Sequence, residues 1–242
     1  MKKVVAIGGG EISKFETFKI DEEIVKLPDK AKPKALFVPT ASGEPEAYCD
    51  NFDFVYGKML GCETDILFLI KDDPDSSQIE KKISWADLIY VGGGNTKRMM
   101  EIWRSKGVDK MLIDAYQRGT VLSGLSAGAI CWFKYGFSDS QRFENQENWH
   151  YTKVEGLGLF DAILCPHLNE ENRRELFEKF MIDFEGVGIG LENGCAIEIV
   201  DDTFKIINSF ENAHAYVFRR SENKLFVDEI RHRDYIPFNL LI

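Results

Sequence analysis

Short runs of aliphatic and β-branched residues recur along most of the chain, and each run ends at a glycine, a proline or a polar turn. Continuous apolar runs of this length are typical of strands that are buried on both faces. Several of the intervening segments have the apolar spacing of amphipathic helices. Strands that alternate with helices predict an α/β fold with a mostly parallel sheet and helices on both faces. The predicted strands are residues 4–7, 35–38, 64–69, 88–91, 121–123, 163–165 and 187–191, and the predicted helices are residues 44–60, 96–105, 108–118, 126–133 and 170–184.

The pattern changes after Cys195, where strand-like runs are separated by turns and no helical spacing is found. These runs predict C-terminal antiparallel hairpins added to the main sheet. No linker and no internal repeat interrupts the sequence, so we expect residues 1–242 to form one α/β domain. The strand-like runs are residues 196–200, 204–207, 215–218 and 225–230.

The composition is that of an ordinary folded protein, with 44% hydrophobic and 29% charged residues among 242. The formal net charge of −10 disfavours nucleic acid and anionic membranes as partners. The apolar run at the N-terminus is too short for a signal peptide, and no stretch approaches the length of a membrane span. Five cysteines without CxxC spacing suit a reducing compartment. We therefore expect a soluble, cytoplasmic protein, and the sequence leaves a homodimer open.

Polar and glycine-rich residues follow several of the predicted strands. In α/β sheets, ligands bind at the carboxyl ends of the strands. We therefore expect one edge of the sheet to carry the functional site. The residues predicted at that edge are 8–10, 92–96, Ser126, His167 and Glu192.

The strongest motif is G-x-S-x-G, from Gly124 to Gly128, between a short apolar strand and a helical segment. This context predicts a nucleophile elbow, in which small flanking residues permit a tight turn that presents Ser126 at the start of a helix. There the free amides and the helix dipole favour developing negative charge. The alternative is a glycine-rich turn in which Ser126 only caps the helix.

A serine nucleophile needs a base, and the base needs an orienting group. His167 follows a predicted strand at the active edge, whereas His150, His214 and His232 lie in polar or hairpin regions. We therefore predict His167 as the base. Glu192, at the end of a strand, and Asp139, in a loop after the serine, are both candidates for the acid, and the sequence does not separate them.

The run Gly-Gly-Gly-Asn-Thr at residues 92–96 follows another predicted strand, and we expect Thr96 to cap the next helix. One glycine amide of this run, together with that of Ala127, could form an oxyanion hole. A phosphate-binding loop is the weaker interpretation, because neither glycine run matches a nucleotide-binding motif. No metal-binding spacing is found, so we expect neither a metal nor a cofactor.

Taken in order, these motifs together with Pro166-His167 and Gly190–Gly194 resemble the aspartyl dipeptidase family of serine peptidases, which includes dipeptidase E and cyanophycinase relatives. The resemblance implies a class I glutamine amidotransferase-like, flavodoxin-like fold. It further implies roles for the following residues: Ser126 as nucleophile, His167 as base, Glu192 or Asp139 as third member, and Gly93 or Gly94 as an oxyanion donor.

In that family an arginine after the histidine binds the aspartate of the substrate. The resemblance therefore implies Arg173 or Arg174 as substrate-binding residues, and Asn95 is a further candidate. The stretch between His167 and these arginines is shorter than in the dipeptidases, which weakens the aspartyl prediction more than the catalytic class.

The resulting hypothesis is a serine hydrolase that cleaves a peptide bond in small peptides through an acyl-enzyme, with dipeptides carrying an N-terminal aspartate as the best specific substrate. One alternative is another amidase or esterase on the same scaffold. The other is a non-catalytic protein that binds a small ligand in a glycine-lined pocket.

Overall fold

The computed structural model describes residues 1–170, 172–222 and 224–241. Over these residues the chain folds into two β-sheets and surrounding helices, and the predicted α/β class is confirmed. The strands are β1 Lys3–Ile7, β2 Lys34–Val38, β3 Glu63–Ile66, β4 Leu88–Val91, β5 Val121–Leu125, β6 Phe133–Ser138, β7 Thr152–Glu155, β8 Phe160–Cys165, β9 Val187–Leu191, β10 Cys195–Val200, β11 Thr203–Asn208, β12 Ala215–Ser221, β13 Lys224–Ile230 and β14 Ile236–Pro237. The helices are α1 Phe18–Lys26, α2 Glu46–Phe52, α3 Ser76–Trp85, α4 Thr96–Lys106, α5 Val108–Arg118, α6 Ala127–Ile130 and α7 Arg173–Asp183.

The first sheet has the strand order β14-β11-β10-β1-β5-β4-β2-β3 in the described part of the chain. Its strands from β1 to β3 in this order are parallel to their neighbours. Strands β10, β11 and β14 extend it in antiparallel pairs on the other side of β1. The central strands are buried on both faces, as their continuous apolar runs predict.

The second sheet has the order β13-β12-β9-β8-β6-β7. Strands β6, β8 and β9 are parallel, and β12 pairs antiparallel with β9. The prediction that all C-terminal hairpins join the main sheet is therefore wrong for β12 and β13. Pairing between strands distant in sequence depends on the other strand, so the local pattern cannot specify it.

The predicted helix over residues 126–133 is wrong in its second half, because α6 ends at Ile130 and β6 begins at Phe133. From Phe133 onward the chain pairs as a strand with β7 and β8, and the local apolar pattern does not reveal this pairing. The predicted helix over residues 44–60 is present but changes its winding: α2 ends at Phe52 and a π-helix follows over Asp53–Met59.

The hydrophobic core is arranged around the faces of the first sheet. On one face, α1, α2 and the π-helix contribute a buried aromatic stack in which Phe52 lies between Phe37 and Tyr56. On the other face, α4 and α5 and part of the second sheet form the largest cluster, with Trp103 and Trp132 fully buried. None of the helices within the described ranges is long and apolar enough to cross a membrane.

Candidate active site

The G-x-S-x-G motif forms a sharp turn between β5 and α6. Ser126 has φ 57° and ψ −109°, a conformation that costs free energy in a residue other than glycine. The flanking glycines are required by close packing: a Cβ on Gly124 would overlap the Gly128 carbonyl, and a Cβ on Gly128 would overlap the Val91 carbonyl. The turn therefore has the strained geometry that the nucleophile-elbow hypothesis predicts.

His167 lies against this serine. Its Nε2 is 2.8 Å from Ser126 Oγ, although β5 and β8, which precede these residues, belong to different sheets. His167 also has a positive φ, of 54°. Strained residues that hydrogen-bond to each other are typical of active sites. The structure thus brings together the two residues that sequence analysis predicts as nucleophile and base.

The other ring nitrogen of His167 faces a residue that sequence analysis missed. His167 Nδ1 is 2.6 Å from Asn193 Oδ1 and 3.2 Å from Glu170 Oε1. With its proton on Nδ1, His167 donates to Asn193 and leaves Nε2 free to accept the Ser126 proton. Asn193 is held in place in turn, because its backbone N–H donates to Asn169 Oδ1 at 3.0 Å.

The two carboxylates predicted for this position bond elsewhere. Glu192 Oε2 accepts a hydrogen bond of 2.8 Å from His214 N. Strand β9 ends at Leu191, and the turn that follows places the Asn193 side chain, rather than that of Glu192, at the imidazole. Asp139 Oδ2 lies 3.7 Å from the guanidinium of Arg173.

The end of β1 and the two glycines after it connect the three segments that form the candidate site. Three successive carbonyls, those of Ile7, Gly8 and Gly9, accept hydrogen bonds of 3.1, 2.9 and 2.9 Å from the N–H groups of Ser126, His167 and Gly194. A Cβ on Gly9 would overlap the His167 ring and Asn193 Oδ1, so the first glycine run provides space for the site. In this protein the first glycine run therefore makes room for His167 and Asn193, and this requirement does not call for a nucleotide-binding motif.

Burial and charge determine the basicity of His167. Burial lowers the pKa of His167 because the imidazolium is poorly solvated there, and the nearby Arg173 guanidinium lowers it further. The carboxylates of Glu170 and Asp139 and the hydrogen bond to Asn193 oppose this effect. The net shift is downward, which keeps the imidazole neutral and able to accept a proton at neutral pH.

The predicted oxyanion donors surround the serine. Gly93 and Gly94 line the same cleft as Ser126, and Ala127 is the first residue of α6. Gly93 N donates to the Tyr48 hydroxyl at 3.3 Å. Among the residues that the structure describes, the amides of Gly94 and Ala127 have no hydrogen-bond acceptor, so both stay candidates for an oxyanion hole.

Neither of the two predicted substrate-binding arginines is among the residues that line this cleft. Arg173 is 1% exposed and packs over the Tyr151 ring at 4.8 Å. Arg174 pairs with Glu178 at 3.0 Å and covers the Tyr216 ring at 4.5 Å.

Asn95, predicted as a further substrate-binding candidate, is not among the residues that line the cleft. It takes the capping role that the sequence predicts for Thr96. It is the N-cap of α4, and its Oδ1 accepts from Arg98 N at 3.0 Å. The helix cap predicted at Thr96 therefore lies one residue earlier, where the amide side chain reaches the free N–H of the first turn.

The cleft itself has a volume of about 490 Å³. Besides Ser126, His167 and the glycine loop, its walls include Tyr48 from α2 and Glu11 from the loop after β1. Within the described parts of the chain, the lining contains one carboxylate, that of Glu11, and no lysine or arginine. This volume is suited to a small molecule or a short peptide.

The fold and the site are those of an α/β hydrolytic enzyme with a serine at a strand-to-helix turn. The model of Peptidase family S51 matches residues 4–207, and the chain belongs to that family. The protein is therefore a serine-type peptidase, and the resemblance found in the sequence is confirmed.

Relatives and solved structures agree with this assignment. The chain is 32% identical over 229 residues to the "Uncharacterized peptidase YgaJ" of Bacillus subtilis (strain 168), with 93% of this chain and 95% of that protein covered. The crystal structure of a peptidase from an acI-B1 Actinobacterium superposes with a TM-score of 0.73 at 20% identity, covering 98% of this chain and 97% of that one. A putative peptidase E protein from Listeria monocytogenes EGD-e gives a TM-score of 0.67 at 22% identity, covering 86% and 98%. These two structures support the fold.

Proposed function

We propose that this serine peptidase cleaves small peptides through an acyl-enzyme formed on Ser126. The observation that carries the proposal is the chain of hydrogen bonds from Ser126 Oγ to His167 Nε2 and from His167 Nδ1 to Asn193 Oδ1. A serine, a base and a group that orients the base are the parts that nucleophilic catalysis requires.

The reaction proceeds in two halves. Ser126 Oγ attacks the carbonyl carbon while its proton moves to His167 Nε2, and the negative charge develops on the carbonyl oxygen. Collapse of the tetrahedral intermediate breaks the C–N bond, and His167 returns the proton to the leaving amine. Water then attacks the acyl-enzyme with His167 again as base, which releases the acid and regenerates Ser126.

Asn193 and Glu170 divide the task that one carboxylate performs in a Ser-His-Asp triad. Asn193, at 2.6 Å, fixes the tautomer and the ring orientation of His167. Glu170, at 3.2 Å, supplies negative charge beside the imidazolium that forms during the reaction. The Glu170 carboxylate is in turn 3.7 Å from the Arg173 guanidinium.

The aspartyl preference implied by the family resemblance stays a hypothesis. Arg173 and Arg174 are engaged by other groups, and the described lining of the cleft carries a carboxylate and no cation. A negatively charged substrate side chain would be repelled there. We therefore favour peptides whose N-terminal residue is small and uncharged.

The five cysteines support a reducing compartment such as the cytoplasm as the location. Each of Cys49, Cys62, Cys131, Cys165 and Cys195 is buried with a free thiol. Free thiols persist where the surroundings keep them reduced.

A fluorophosphonate probe tests the nucleophile, because it reacts covalently with an activated serine. We expect the wild-type protein to be labelled and Ser126→Ala to be unlabelled. Ser13→Ala is the matched control, since Ser13 lines the same cleft whereas the His167 ring hydrogen-bonds to Ser126 and Asn193, and it should be labelled like the wild type. Equal labelling of Ser126→Ala, or no labelling of the wild type, would contradict the proposal.

A further inference from the structure

Tyr48 has a hydroxyl group at the glycine loop of the cleft. Its oxygen accepts a hydrogen bond of 3.3 Å from Gly93 N, and both residues line the cleft that contains Ser126. The ring is fixed from two sides: Phe37 packs edge-on at a centroid distance of 4.9 Å, and Gly92 lies so close that an added Cβ would be 2.9 Å from Tyr48 Cε1. The phenol is therefore held in one place beside the loop.

The proton of this hydroxyl has no acceptor among the described residues. A phenol can accept through its lone pairs and donate one proton. The Gly93 N–H uses one lone pair of the Tyr48 oxygen. The hydroxyl proton therefore stays available to donate to a molecule bound in the cleft. Burial raises the pKa of Tyr48 to about 12, so the phenol keeps its proton at neutral pH.

The loop that holds this hydroxyl also touches the nucleophile. A Cβ on Gly93 would lie 3.3 Å from Ser126 Cβ, so the amide bonded to Tyr48 belongs to a residue in contact with the serine. The carbonyl under attack by Ser126 must lie in this region, and its oxygen gains negative charge during the reaction.

We propose that Tyr48 is a catalytic residue whose hydroxyl donates a hydrogen bond to the carbonyl oxygen of the scissile bond. The inference rests on the proposed function. In this arrangement Gly93 polarises the phenol by donating to its oxygen, which strengthens the O–H as a donor. The free amides of Gly94 and Ala127 complete the oxyanion hole.

Tyr48→Phe tests the proposal, because it removes the hydroxyl and keeps the ring. We expect kcat for a cleaved small peptide to fall about 10- to 1000-fold while KM stays within about threefold, since the bond strengthens only as charge develops. Tyr90→Phe is the matched control: Tyr90 belongs to the same aromatic cluster, but its hydroxyl is buried and lacks a partner in the described structure. A kcat of Tyr48→Phe within about threefold of the wild type would overturn the proposal.

The outcomes separate the two proposals. If the wild type is labelled at Ser126 while Tyr48→Phe keeps full activity, only the role of Tyr48 fails. If the wild type is not labelled, the proposed function fails.

Should circular dichroism show that Tyr48→Phe is unfolded, a fluorinated tyrosine placed at position 48 replaces it. The more acidic phenol is a stronger hydrogen-bond donor while it stays protonated, so kcat at neutral pH should differ from that of the wild type by more than about threefold. A kcat unchanged by fluorination would reject the role of Tyr48.

Discussion

At the scale of single residues, the partner of His167 lies one position beyond the residue that chemical type predicts. Glu192 and Asn193 are neighbours in the sequence, yet only Asn193 reaches His167, while Glu192 bonds to the backbone of His214. Chemical type favours Glu192, because a carboxylate is the usual partner of a catalytic histidine. The turn after β9 directs Asn193 to the imidazole instead, and the conformation of that turn cannot be read from residue type.

Substitution at these two positions distinguishes their roles. We expect Asn193→Ala to lower kcat between about 10- and 10⁴-fold, because His167 loses the group that fixes its tautomer. Asn193→Asp should be much more active than Asn193→Ala, because the carboxylate can also orient His167. It should move the acid limb of the kcat profile to higher pH than in the wild type, since an added carboxylate raises the pKa of His167. Steady-state kinetics across pH measure both effects.

Glu192→Gln is the matched control, because the amide oxygen can still accept from His214 N. Its kcat should stay within about threefold of the wild type. A large loss in Glu192→Gln together with wild-type kinetics in Asn193→Ala would make Glu192 the orienting residue instead.

Ser126 and His167 could be predicted from the sequence because local signals mark both. The small residues of a G-x-S-x-G motif permit the tight turn that exposes the serine. A polar residue shortly after a buried parallel strand, such as His167 after β8, lies at the edge of the sheet where ligands bind. Glu170 lies three residues after His167, and residues 8–10 are predicted at the same edge, but their hydrogen-bond and ion-pair partners are set by the fold. No local spacing connects residue 9 with residue 167.

At the scale of elements, a buried carboxyl group joins two walls of the cleft. Asp21 on α1 accepts hydrogen bonds of 2.8 Å from Thr17 Oγ1 and from Tyr56 Oη in the π-helix. The loop before α1, residues 10–13, lines the cleft, and so do Tyr48 and Asn51 of α2, which the π-helix continues. Burial raises the pKa of Asp21 to about 7, and the two hydrogen bonds oppose this shift only in part.

This carboxyl group gives the stability a definite pH dependence. A pKa that is higher in the folded chain than the unfolded value of 3.8 means that folding takes up a proton between pH 4 and about 7. The contribution of Asp21 to the free energy of unfolding therefore decreases as pH rises through this interval, by on the order of 1.4 kcal/mol per pKa unit.

Asp21→Asn should remove that decrease, because the amide donates to Thr17, accepts from Tyr56 and does not titrate. Thermal melting between pH 4 and 8 measures the effect, and the variant should melt above the wild type at pH 8. Asp114→Asn on the exposed side of α5 is the control and should follow the wild type. If Asp21→Asn shows the same decrease with pH as the wild type, Asp21 is not responsible for it.

The elements themselves could be predicted only where their signal is local. Strand β9 matches its predicted range, and so does helix α5, because each has a complete apolar pattern with turn residues at its ends. Strand β7 is short and polar on its outer positions, and its existence depends on pairing with β6. The division of the strands between two sheets is likewise a property of pairing rather than of pattern.

At the scale of the whole molecule, net charge and the cleft favour the same substrates. The chain carries a formal charge of −10, and the described cleft lining carries a carboxylate and no cation. Long-range and local electrostatics therefore both disfavour an anionic substrate.

A dipeptide panel measures this preference. We expect kcat/KM for an N-terminal alanine to exceed that for an N-terminal aspartate by about tenfold or more. Raising the salt from ~0.05 to ~0.5 M should narrow the gap, because screening weakens the repulsion of the aspartate. Arg174→Ala should leave the ratio unchanged, since Arg174 is engaged by Glu178 and Tyr216. A wild-type preference for aspartate that disappears in Arg174→Ala would instead establish the aspartyl specificity.

The three carbonyls of residues 7–9 also determine when activity can arise during synthesis. The ribosome makes these acceptors before their donors at Ser126, His167 and Gly194, which follow over nearly two hundred residues. A nascent chain that stops before Gly194 lacks the last of these bonds and the adjacent Asn193. We therefore expect the site to stay incomplete, and the nascent chain inactive, until synthesis has passed Gly194.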